Sequence, residues 1–296
     1  MKSFGLQIYS VRDKMTSYEG IRDTFRTLKA QGYDYLQTAG TPAVSYEEYG
    51  ALAAEAGLEI VGTHDNFQLM CENFDQSLAN HRALNTRLMG IGGFHPQSGD
   101  TDIAAWEEFI EKANKVAANC AKHGMKFTYH NHSHEFIRLA NGKTPMEMLV
   151  EGLDPVNTSF VLDTYWVQHG GGDVRWWIEH LAGRIDILHL KDMQRLPVMH
   201  ELRGWQMFTE IGQGNLQWPL ILEAAEKAGV KYYVVGIVNG DLFARVDCAL
   251  HFPDSSDYLV IAHSAQVLGQ ATKMLCIGRL DRDYQGFYEA LESKAS

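Results

Sequence analysis

Cysteine is scarce in this 296-residue chain, with four in all, Cys71, Cys120, Cys248 and Cys276. They are far apart and show no C-x-x-C pairing, which excludes a disulfide framework and a zinc knuckle and fits a reducing, cytoplasmic compartment. No uncharged apolar run approaches the ~20 residues that span a bilayer, so no membrane association is expected. The first residues, Met-Lys-Ser-Phe-Gly-Leu-Gln-Ile-Tyr, run straight into a strand pattern without the three regions of a secretion signal, so export is not expected either. Positive charge is in deficit, 26 Lys and Arg against 37 Asp and Glu for a net charge of -11. With no basic block or stripe, nucleic acid is excluded as a partner, and a polyanionic substrate is disfavoured unless a metal or local cations offset the field. The glycine-rich nucleotide turn is missing as well. Val11-Arg-Asp-Lys follows the first strand pattern, Gly90-Ile-Gly-Gly-Phe-His95 lacks the third glycine, and Gly212-Gln-Gly214 is too short for a phosphate signal.

What is present is an alternation of β-type runs with segments of helical period. Hydrophobic residues make up 45% and charged residues 21%, ordinary globular usage that supports a large core. Strand patterns cover Phe4 to Val11, Tyr33 to Ala39, Leu58 to His64, Arg87 to Phe94, Met125 to His132, Ser159 to Trp166, Ile185 to Lys191 and Tyr232 to Val238. Helical patterns separate them, several opened by capping signatures such as Ser45-Tyr-Glu-Glu and closed by glycine. Eight strands with intervening helices argue for an α/β fold, a single (β/α)8 barrel, over a doubly wound sheet. The barrel is expected over residues 1–263, with Cys248 to His263 as its last helix. A C-terminal helical extension over 264–296 follows, in which Asp281 to Lys294 places Tyr284, Phe287, Tyr288 and Leu291 on an apolar face for packing or for an oligomer contact.

In such a barrel the C-terminal ends of the strands converge on one mouth. Those ends carry His64 and Asp65, then His132 and Glu135, then Asp163 with Trp166 and His169, then His189 with Lys191 and Asp192; the irregular stretch beyond adds Glu210. Two carboxylates and an imidazole from three successive strands make a ligand set suited to Mn²⁺, Mg²⁺ or Co²⁺. Plainer roles compete: Asp163 suits a turn cap, His189 a satisfied core histidine, Glu135 a solvated loop carboxylate, Trp166 simple packing, and Lys191 a snorkelling rim residue. Of His130, His132 and His134, the choice for a site residue is His132.

The stretches Leu6 to Asp13, Tyr129-His-Asn-His-Ser-His-Glu-Phe136, Leu162-Asp-Thr-Tyr-Trp166, Leu188-His-Leu-Lys-Asp192 and Glu210 to Pro219 together resemble the sugar phosphate isomerase/epimerase family of xylose isomerase-like TIM barrels. That resemblance implies a divalent metal, Mn²⁺ first with Mg²⁺, Co²⁺ or Zn²⁺ as alternatives, on Glu135, Asp163 and His189. It further implies His64 and His132 facing substrate; beside them Trp166, His169, Lys191 and Glu210 are expected as substrate contacts from their places at or beyond the strand ends. One departure stands out: the family's eighth strand ends in a glutamate that is a fourth ligand and second acid/base group, and here that position is Gly236.

The expected reaction begins with removal of a proton from carbon beside a metal-polarised carbonyl, by Glu135 or a histidine. Returning the proton gives an isomerase or epimerase of a small sugar or polyol derivative. Expelling a β-substituent instead gives a lyase or hydrolase, acting for example on keto-glycosides, which needs only one carboxylate plus an acid such as His132 or His64. A non-catalytic sugar-binding barrel, or a barrel that is one subunit of a complex or homo-oligomer, is the remaining alternative.

Overall fold

The computed structural model describes residues 3–195, 206–209, 211–212, 214–236 and the strands within 246–251, 258–264 and 273–275. In chain order the elements up to residue 235 are β1 (Gly5–Gln7), α1 (Tyr18–Ala30), β2 (Tyr35–Gln37), α2 (Tyr46–Ala56), β3 (Glu59–Gly62), α3 (Phe67–Glu72), α4 (Phe74–Ala83), β4 (Leu88–Ile91), α5 (Ile103–Lys122), β5 (Lys126–His130), α6 (Pro145–Gly152), β6 (Thr158–Asp163), α7 (Thr164–His169), α8 (Val174–His180), β7 (Ile185–Leu190), β8 (Asp192–Arg195), β9 (Gln206–Thr209), α9 (Trp218–Lys227) and β10 (Tyr232–Val235). Helix starts follow the capping chemistry: Ser17 accepts from Gly20 N–H, and Ser45 with Glu48 and Thr144 with Glu147 form reciprocal capping boxes. Gly57, at φ +74, closes α2 in a left-handed turn that a β-carbon would strain.

Eight strands pair in parallel in the order β3, β2, β1, β10, β7, β6, β5, β4, and the helices pack around them as a (β/α)8 barrel. The two end strands meet at a seam bridged locally: Asp65 N–H donates to the Gly90 carbonyl (2.8 Å), and Gly90 N–H donates to Thr63 Oγ1 (3.0 Å). Two apolar clusters result. The larger lies between strands and helices, with Phe25, Trp106, Phe127 and Phe160 fully buried, and each such aromatic contributes on the order of 2–3 kcal/mol of burial. The smaller, Tyr35, Val61, Val161, Ile187 and Val234, fills the barrel interior as a plug below the mouth.

Three local outcomes depart from the sequence reading. Trp166 lies on α7 rather than at the end of a strand, because Asp163 Oδ1 accepts from Trp166 N–H (3.1 Å) and starts a helix there. The irregular stretch after Asp192 contains an antiparallel hairpin of β8 and β9, paired from Asp192–Thr209 to Arg195–Gln206. The expected last barrel helix, Cys248 to His263, is instead strand: β11 (Val246–His251) pairs antiparallel with β12 (Tyr258–Ser264), which pairs with β13 (Lys273–Leu275). Pro253 interrupts helical continuity there, and Tyr258-Leu-Val-Ile261 is aromatic and β-branched, a composition that favours the pleat. The expected helix from Asp281 to Lys294 lies outside the described residues.

Candidate active site at the barrel mouth

Side chains on a strand return to the same face every second residue. Two residues beyond the apolar plug the barrel therefore turns polar: Tyr35 is followed by Gln37, Val161 by Asp163, and Ile187 by His189. On β5, Thr128 is likewise followed by His130, and Val234 by Gly236. Register sets these side by side, with Asp163 opposite His189 and Val234 opposite His189 across β7. The result is a ring of buried polar groups at the strand ends.

On the inner side, His64, His130 and His189 each bring a ring nitrogen within 4.8 Å of the other two. Asp163 Oδ2 lies 3.2 Å from His130 Nε2, 3.4 Å from His189 Nδ1 and 2.8 Å from Lys191 Nζ. Gln37 Oε1 accepts from His189 Nε2, and Gln7 Nε2 lies 3.2 Å from His64 Nδ1. His189 Nδ1 and His64 Nε2 are buried without a hydrogen-bond partner. Burial, reinforced by neighbouring His130, holds His64 well below the usual imidazole range, and burial pushes His189 down to about 3. Both rings are neutral and keep a lone pair. For Asp163, burial alone would raise the carboxyl, but the neighbouring Lys191 cation and the imidazole of His130 outweigh it and hold the group well below the usual carboxylate range. Asp163 is thus both the helix cap and the site carboxylate, one oxygen for each role.

On the outer side, Glu135 is fully buried in a 3-10 turn, His134–Phe136. Tyr129 O–H donates to its Oε1 and the His132 N–H to its Oε2, each at 2.8 Å. Burial outweighs these bonds and raises the carboxyl to about 8. Burial also takes His132 down to about 2, so its ring is neutral. The His132 ring sits 5.3 Å from the ring of Trp166, which meets Phe208 of the hairpin edge-on at 5.4 Å; His169 lies 5.5 Å from Trp166 at the end of α7. The structure thus brings together His64, His132, Glu135, Asp163, Trp166, His169, His189 and Lys191 around one mouth. Glu210 lies outside the described residues.

Gly236 has a specific neighbour. A β-carbon there would lie 2.1 Å from Lys191 Cε, so the lysine stem fills the space that a larger residue would take and carries Nζ on to Asp163. Sequence reasoning missed four contributors: His130, Tyr129, Gln7 and Gln37. Gln7, Gln37 and His130 are each the last residue of their strand, a polar side chain closing an otherwise buried run, which is the signal that singled out Asp163. A cleft of about 290 Å³ lined by Arg12, Thr38, Pro42 and Tyr46 among others opens beside β1 and β2 instead of over the histidines.

Residues 25–241 match the family model of the xylose isomerase-like TIM barrel. The chain belongs to that family. Inosose dehydratase of Mesomycoplasma hyopneumoniae is 26% identical over 141 residues, which are 44% of this chain and 46% of the relative, so the match spans under half the length of that relative. A sugar phosphate isomerase/epimerase from Parabacteroides distasonis shares the fold at a TM-score of 0.67 and 23% identity, covering 80% of this chain and 87% of that one. A probable 3-DHS dehydratase from Bacillus anthracis does so at 0.61 and 15%, covering 80% and 93%. Residues 223–295 are also similar to the HrcA C-terminal domain model. This xylose isomerase-like barrel stands among proteins named as enzymes, and among its described residues no helix is long and apolar enough to cross a membrane.

Proposed function

We propose that this barrel is a lyase that dehydrates a small keto-polyol, removing a proton beside a carbonyl and expelling a β-hydroxyl as water. The observation that carries the reading is that the mouth holds one fully buried carboxylate held by Tyr129 and His132, Glu135, while the position of a second is Gly236, whose space the Lys191 stem fills. A base works best when its pKa lies near the working pH, and about 8 is far nearer than an ordinary carboxylate. Glu135 takes the proton, the electron pair forms the new double bond, and the β C–O bond breaks. His64 and His132 are neutral by burial and therefore poor acids, so the proton for the leaving hydroxyl comes from Lys191 Nζ–H. Proton exchange with solvent resets both groups. Trp166 and His169 wall the substrate, and the inosose dehydratase relative supports a cyclic keto-polyol as its class.

The donor set fits a divalent metal, because His189 Nδ1 keeps a buried lone pair without a hydrogen-bond partner 3.4 Å from Asp163 Oδ2. His64, His130, His189 and Asp163 would hold it, an imidazole-rich set that moves the expectation from Mn²⁺ or Mg²⁺ toward Zn²⁺ or Co²⁺. When bound, such an ion supplies Lewis-acid polarisation of the substrate carbonyl. Lys191 Nζ pairs with Asp163 Oδ2 and would compete with such an ion for that carboxylate. Isomerisation is the second reading, since Glu135 alone can take a proton and return it to the neighbouring carbon on the same face. Epimerisation needs groups on both faces, and Gly236 offers none. Reaction of inosose in D₂O separates these: water loss supports the lyase, solvent deuterium in a rearranged ketose without water loss supports the isomerase, and neither outcome supports a non-catalytic barrel.

A further inference from the structure

A second histidine cluster sits on the rim, outside the set that would serve the reaction. His95, His132 and His134 each bring a ring nitrogen within 4.8 Å of the others. The rings of His95 and His134 stack at 3.8 Å, and those of His132 lie 5.9 and 5.8 Å away. Each ring is supplied with a partner or a free nitrogen in the way that metal-binding imidazoles are. His95 Nδ1 lies 3.5 Å from Asp100 Oδ1, leaving Nε2 outward. His134 Nε2 donates to the Phe94 carbonyl at 2.8 Å, leaving the lone pair on Nδ1, which lies 3.4 Å from Glu135 Oε2. His132 Nδ1 is buried without a partner. A carboxylate or carbonyl behind the ring, fixing the tautomer and raising basicity, is the usual support of an imidazole ligand.

We infer that His95, His132 and His134 form a second cation site, selective for a borderline divalent ion such as Zn²⁺, Ni²⁺ or Cu²⁺, that ties the loop after β4 to the loop after β5. Three nitrogens at about 2.05 Å from a tetrahedral ion are about 3.3 Å apart, so the rings close by roughly an ångström or less each. A set of three imidazoles favours these ions over Mg²⁺ or Ca²⁺. The site shares no ligand with His64, His130 and His189, but His132 lies at the mouth and His134 borders Glu135 at 3.4 Å, so the test reads metal binding and not turnover.

The test is Zn²⁺ titration of chelator-stripped full-length protein by calorimetry, with Cu²⁺ paramagnetic resonance for nitrogen coupling. Wild type is expected to bind two Zn²⁺, His189→Gln to keep the rim ion, and His95→Gln to lose it while keeping the inner one. His95 is 64% exposed at its side chain, so its variant folds, and Asp100→Asn gives a second, milder probe expected to weaken rim binding roughly tenfold. Unchanged stoichiometry and affinity in both the His95 and Asp100 variants, or one Zn²⁺ in wild type that His189→Gln abolishes, overturns the inference.

Discussion

Two aspartates, one at the end of β6 and one opening β8, are equally buried and serve opposite ends. Asp192 accepts from five neutral donors: the backbone N–H groups of Met193 (2.7 Å), Gly212 (2.8 Å), Gly214 (3.1 Å) and Leu216 (3.2 Å), and Trp218 Nε1 (2.6 Å). None can exchange a proton with it, and together they fasten the loop before α9. Asp163 instead faces two imidazoles and a lysine on one oxygen. The difference shows how to tell a carboxylate that builds the fold from one that does chemistry: count the partners that titrate. It also explains Gly212 and Gly214, whose backbone N–H groups both serve an internal carboxylate. A β-carbon on Gly214 would meet Asp192 Oδ1 at 2.3 Å, so glycine is required there.

The largest effect that sharpens this contrast is on turnover. Asp163→Asn is expected to lower kcat by about 10³-fold, the scale of removing one preorganised electrostatic group, while Asp192→Ala lowers it only in proportion to lost folded protein. Stability reverses the order. Asp192→Ala strands three buried and two part-buried donors and is expected to cost about 3–5 kcal/mol, read as a fall of roughly 10 °C in Tm by calorimetry. Asp163→Asn leaves Lys191 unpaired, and adding Lys191→Met should restore the lost stability without restoring turnover. If that second change rescues nothing, Asp163 is a structural carboxylate after all.

A smaller effect concerns the lysine itself. Lys191→Met removes a cation from Asp163 Oδ2 and should tighten inner-site Zn²⁺ binding roughly tenfold in titration calorimetry, while slowing turnover. Gly236→Glu forces Lys191 Cε to move and should also tighten metal binding; unaltered affinity in both would show that Lys191 and metal do not share the oxygen. The smallest effect is on pH. Glu135 is raised from 4.5 to about 8, so its contribution to stability is fully present below about 4.5 and is lost as pH rises through about 8. Thermal melts of metal-free protein should therefore show Tm falling over that window, and Glu135→Gln should flatten the fall. Over the same range kcat/KM should climb as Glu135 loses its proton, so activity and stability run in opposite directions.

Much of the barrel was legible in the chain, because strands buried on both faces read as apolar runs and their caps and closing glycines are local signals. Asp163 and His189 were legible for the same reason, as polar groups at the ends of such runs, and His132 and Glu135 as the polar stretch that follows one. What was not legible depends on contacts distant in sequence. Gln37 matters through His189, 152 residues away, and Lys191 takes its meaning from a glycine 45 positions on. The hairpin after Asp192 was hidden because its strands are short and its register is set by the hydrogen bonds around one carboxylate. The strands at Val246–His251 and Tyr258–Ser264 were misread as helix because a barrel template was carried past the point where composition supports it.

The central claim is that Glu135 starts an elimination with Lys191 as the acid. Incubation of wild type and Glu135→Gln with inosose and Zn²⁺ in D₂O, followed by mass spectrometry, tests it most directly. The account predicts loss of one water from the substrate with wild type and a rate about 10³-fold lower with Glu135→Gln. Equal rates in the two proteins, or deuterium uptake by wild type with no water lost, would contradict it.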